Sequence, residues 1–87
     1  MYDTQNFYFT FGSDPLYPYG RNDYVVVGAR NEYDACLLFN MIHPPRHGNT
    51  VNCAFVYSEQ SFNEFRDKYY KDVLPIETIT MCVNRRG

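Results

Sequence analysis

Residues 6–12 alternate Phe7, Phe9 and Phe11 with Tyr8 and Thr10, the period-two pattern of a strand with one buried face. Residues 13–22 hold Asp14-Pro15, Pro18 and Tyr19-Gly20, all turn chemistry, so the chain leaves that strand in an open loop. Residues 23–30, with Val25, Val26 and Val27 in a row, are rich in β-branched side chains and too short for a helix. They predict a second strand, antiparallel to the first. Asn31 then offers a helix cap, with Glu32 and Asp34 in the first turn where carboxylates suit the helix dipole. Ala35, Leu38, Phe39 and Ile42 follow as one apolar stripe, and Pro44-Pro45 stops the helix.

After a loop over 43–49, residues 50–57 return to strand, with Val51, Cys53, Phe55 and Tyr57 expected on one side. Ser58 or Ser61 caps a second helix, the latter forming a capping box with Glu64. Its apolar members are Phe62, Phe65 and Tyr69, and it reaches about Asp72. Residues 76–83 form a last strand beyond Pro75. The prediction is a single α+β domain over residues 1–87, in the order β-β-α-β-α-β. It is a small two-layer fold with two helices packed on one mainly antiparallel four-stranded sheet.

Length and composition narrow the function classes. An 87-residue chain makes one domain, and a core this small depends on large side chains, which its seven Phe and nine Tyr supply. No apolar run approaches the roughly 20 residues that span a bilayer, and the first residues lack the basic start and apolar segment of a signal peptide. Cys36, Cys53 and Cys82 are an odd set, each within an apolar-patterned segment. They read as buried thiols of a cytoplasmic protein, with neither a disulfide framework nor a zinc knuckle indicated. A net charge of −2 with both signs interspersed argues against nucleic acid as a direct ligand and against mimicry of it.

No P-loop, dinucleotide fingerprint or local catalytic signature is present, so neither enzyme activity nor a cofactor is expected. Two stretches stand out as binding candidates. Tyr17, Tyr19 and Arg21 place hot-spot residue types on the first loop. The tyrosines either form a protein-contact surface or fold back over the sheet edge. His43, Arg46 and His47 sit together in the second loop, where they could hold a phosphate or carboxylate, such as that of a nucleotide. Two histidines without a third ligand do not make a metal site. If the last strand lies at a sheet edge, Glu77 is its single charged guard and two copies could pair edge to edge.

Phe9-Thr10-Phe11-Gly12, Tyr24-Val25-Val26-Val27 leading into the helix, and Cys53-Ala54-Phe55-Val56-Tyr57-Ser58-Glu59 before a second helix together resemble small uncharacterised proteins of phages and integrated elements. The helix around Tyr33 to Phe39 is less charged than in those proteins, and the 42–47 loop is longer. The resemblance implies no catalytic residues. It implies a protein that caps a host protein, such as a defence nuclease or its complex, as anti-CRISPR-like inhibitors do.

Overall fold

The computed structural model describes residues 4–46, 48 and 50–80. Strands β1 (Gln5–Thr10) and β2 (Tyr24–Ala29) pair antiparallel, and helix α1 (Glu32–Ile42) follows. Strand β3 (Phe55–Ser58), short helices α2 (Glu59–Asn63) and α3 (Arg66–Tyr69), and strand β4 (Glu77–Thr80) complete the order. The sheet runs β3-β1-β2-β4. β1 is antiparallel to both its neighbours, while β4 lies parallel to β2.

The expected α+β class, four strands and mainly antiparallel pairing are all present. The layering differs. Phe7, Phe9 and Phe11 join Val25, Val27, Ala29 and Ile79 on one face of the sheet, packed against Ala35 and Phe39 of α1. Tyr8 and Tyr24 point to the other face, where they meet Phe62 of α2 and Tyr70. The helices therefore cover opposite faces instead of sharing one layer. Topology explains this. The connection from β2 through α1 to β3 and that from β3 through α2 and α3 to β4 each join parallel strands, but they cross the sheet in opposite directions. Crossovers of one shared hand must then place their helices on opposite faces.

Local chemistry fixes the elements. The Asn31 side chain accepts from the Asp34 backbone N–H at 2.8 Å, as its capping role requires, and α1 stops at His43 before the two prolines. Within the expected apolar stripe, Ala35 and Phe39 are fully buried, Leu38 is half-buried and Ile42 is 49% exposed. Ser58, not Ser61, caps α2, accepting from the Ser61 N–H at 3.2 Å. The anticipated single helix breaks after Asn63, and α3 starts at Arg66 without a side-chain cap. β3 is shorter than expected, because residues 51–54 run irregularly before it. Cys53 and Val56, three apart, both reach the α1 face, whereas Tyr57 packs on the other. The expected last strand extends to Val83, but residues 81–83 lie outside the described residues.

Candidate functional site

The loop between β1 and β2 wraps around the end of the sheet, where Tyr17, Tyr19 and Arg21 together line a shallow depression, and Arg21 alone of the three also reaches an aromatic pocket on the other face. Tyr17 and Tyr19 fold back onto the α1 face. Tyr19 meets Phe11 edge-on at 5.4 Å, and Tyr17 stands 6.5 Å from the same ring. Both are half-buried. Of the two alternatives open to these tyrosines, the structure places them as cover for the core.

Tyr19 also belongs to a polar cluster. Its hydroxyl donates to Glu77 Oε1 at 3.2 Å, and His43 Nε2 lies 2.8 Å from the same oxygen. The Tyr19 and His43 rings meet edge-to-face at 5.4 Å. One carboxylate on edge strand β4 thus ties the first loop to the C-terminal end of α1. Burial, reinforced by the Glu77 charge, raises the Tyr19 hydroxyl pKa, so it stays a donor.

This geometry changes the character of the second loop. His43 is committed to a carboxylate, and an anion placed beside it would meet Glu77. Arg46 is exposed and turns its guanidinium to the Leu16 carbonyl at 3.3 Å. His47 lies outside the described residues. Asn52 and Asn40 donate to the Pro44 and Thr50 carbonyls, which pins the loop's two ends. His43 and Arg46 are therefore each engaged within the fold and do not converge on a shared vacant point. No group of three metal-ligating side chains occurs among the described residues.

Cys82 lies outside the described residues, and the other two thiols are held in the fold as poor nucleophiles. Cys53 is buried in the α1 core, and burial, with Cys36 nearby, pushes its pKa up to about 12. Cys36 is raised as well, by burial and then by Glu32. A thiol held protonated is a poor nucleophile.

Arg21 also reaches the opposite face, where a concave aromatic surface forms. A pocket of about 420 Å³ is lined by Arg21, Phe55, Tyr57, Phe65, Tyr69 and Tyr70 among others. Tyr70 is buried and donates its hydroxyl to the Arg21 carbonyl at 3.4 Å, which anchors the loop beside the pocket. Burial is also the main cause of its raised pKa. Phe55 and Tyr69 form the rim, each 61% exposed. The Arg21 guanidinium is exposed and has no hydrogen-bond or ion-pair partner among the described residues.

No protein-family model, curated protein or solved structure matches this chain. Its chemistry has to be read from geometry. Of the predicted contact residues, Arg21 alone belongs to this pocket. The missed members have a signal in the sequence: Phe55 and Tyr57 alternate on one strand, and Phe62, Phe65 and Tyr69 are more rings than a short helix can bury. A helix broken after Asn63 buries Phe62, half-buries Phe65 and leaves Tyr69 outside.

Proposed function

We propose that this chain is a non-enzymatic binding domain that engages another protein through the aromatic pocket beside Arg21. The observation that carries the reading is the pairing of two largely exposed rings, Phe55 and Tyr69, with the Arg21 guanidinium, unpartnered among the described residues, around a concave floor. Interfaces concentrate their binding energy in aromatic and Arg side chains of this kind, seated where a partner can exclude water. An exposed ring is costly in water and gains most when covered.

Following the resemblance of the strand and helix segments to phage and mobile-element proteins, the proposed partner is a bacterial defence factor and the proposed setting is the host cytoplasm. No helix among the described residues is long and apolar enough to cross a membrane. The nucleotide-binding alternative, centred on His43, Arg46 and His47, has less support, since Glu77 already occupies His43.

Affinity capture from nuclease-treated bacterial lysate tests this. The wild-type chain should retain one host protein in near-stoichiometric amount, and Arg21→Ala and Tyr69→Ala should lose it. Both changes are at exposed positions, so their stability should stay within about 0.5 kcal/mol of wild type. Equal retention by both variants would refute the pocket as the contact surface.

A further inference from the structure

The walls of the Arg21 pocket define what enters it, and the inference rests on the protein-binding role proposed above. Tyr57 and Phe65 meet at 73° with centroids 4.8 Å apart, and Phe65 and Tyr69 at 68° and 5.9 Å. Phe55 is tilted 36° from Tyr57. The rings form a corner with no parallel-faced slot. A nucleobase is held best between or upon flat faces, whereas an aromatic side chain gains from edge-to-face contact of the kind this corner offers.

Charge adds a second constraint. The exposed guanidinium of Arg21 is a planar fork that matches a carboxylate in two parallel hydrogen bonds. Lys68 stands 5.4 Å from the centroid of the Tyr69 rim ring, so a second cation flanks the opening.

The third observation is the sheet edge. β3 ends the sheet on its side, and no described strand pairs with its outer flank. Phe55 and Tyr57, two residues apart on β3, both line the pocket. A strand laid along this edge would use the free main-chain groups and send alternate side chains to the pocket face.

We infer that the occupant is an extended segment of a partner protein bearing an aromatic residue two positions from an Asp or Glu, so that both side chains fall on the pocket face. The segment adds to the outer edge of β3, its ring enters the corner formed by Tyr57, Phe65 and Tyr69, and its carboxylate meets Arg21.

The chain contains no Trp, so a Trp-containing peptide can be followed by its own fluorescence. The probes are blocked hexapeptides of alternating Val and Thr in which Trp and Glu stand two positions apart (the Trp-Glu peptide), the same peptide with Lys in place of Glu (the Trp-Lys peptide), and adenosine monophosphate. The Trp-Glu peptide should bind with a blue-shifted emission, about tenfold tighter than the Trp-Lys peptide. It should also slow amide exchange across Phe55–Ser58. Arg21→Gln should erase the preference for Glu, and Tyr69→Ala should weaken both peptides. Equal binding of the two peptides to wild type overturns the carboxylate assignment, and unchanged β3 exchange overturns strand addition. Binding of the nucleotide in place of the peptides overturns the occupant altogether. If the peptides fail but capture of a host protein still depends on Arg21 and Tyr69, the binding role stands and only this occupant falls. If capture ignores both residues, the role itself falls.

Discussion

Glu77 accepts from the Tyr19 hydroxyl and sits within hydrogen-bond distance of His43, so a single carboxylate links three segments distant in sequence. Removing it leaves a half-buried hydroxyl without its partner, which costs about 1–3 kcal/mol. Tyr19→Phe removes the same hydrogen bond from the other side. In urea denaturation, Glu77→Ala should therefore destabilise by about 1–3 kcal/mol, while adding Tyr19→Phe to it should change little. Strict additivity would mean that the two groups do not act together. Ionisation works against the fold at high pH. Burial raises the pKa values of Tyr8, Tyr19 and Tyr70, and pushes Cys53 up to about 12. The folded chain then keeps protons that the unfolded chain releases from about pH 8.5 for Cys and about pH 10 for Tyr. This contribution is complete below those values and is lost as pH climbs toward the folded ones. The urea midpoint should fall between about pH 8 and about pH 11, and less steeply in Cys53→Ala. A flat profile would contradict the burial of these groups.

None of the helices among the described residues is long enough to persist alone, since isolated helices shorter than about 12 residues are marginal in water. α1 and α2 each depend on the ring they deliver to the sheet. Phe39 of α1 stacks on Phe9 at 4.6 Å, and Phe62 of α2 stacks on Tyr8 at 4.3 Å, both fully buried. Phe39→Ala and Phe62→Ala should each cost about 3–5 kcal/mol, a large share of the roughly 5–15 kcal/mol that holds a domain folded. The loss should appear in far-UV circular dichroism and urea midpoints for both. Should Phe62→Ala unfold only its own helix, the second face would be an appendage and not a core. These elements also show what periodicity can reveal. β1, β2 and α1 were legible because Phe7-Phe9-Phe11, the valine run and the Asn31 cap act over neighbouring residues. The break between α2 and α3 was not, because it depends on turning Tyr70 back against Tyr24, with ring centroids 5.2 Å apart. β3 was misjudged for a related reason. The bend over 51–54 satisfies the α1 core through Cys53 and then switches face, which an alternating pattern cannot show.

Strand order is a property of the whole molecule, and it decided both the layering and the site. Local pattern marks Tyr17, Tyr19 and Arg21 as one cluster, yet the loop bends around the end of the sheet, so the tyrosines pack on the α1 core and only Arg21 also reaches the aromatic pocket. The pocket likewise draws on the first loop, β3 and α3 together, so no short stretch of sequence contains it. The order β3-β1-β2-β4 makes β1 and β2 the shielded centre and leaves β3 and β4 as independent edges. Protection from amide exchange should follow that arrangement, because edge strands open without disrupting the central pair. Hydrogen-bonded amides of Phe7, Phe9, Val25 and Val27 should exchange at or near the global unfolding limit, and those of β4 sooner. The Glu77 contact is the side-chain tie from β4 to the first loop and to the end of α1. In Glu77→Ala, β4 and the Tyr19 loop should therefore exchange faster by more than the global loss of stability explains, while β3, at the far edge, should change only by that global amount. Exchange of β4 in step with β1 and β2 in both proteins would mean that the sheet opens as one unit and that Glu77 contributes only to overall stability.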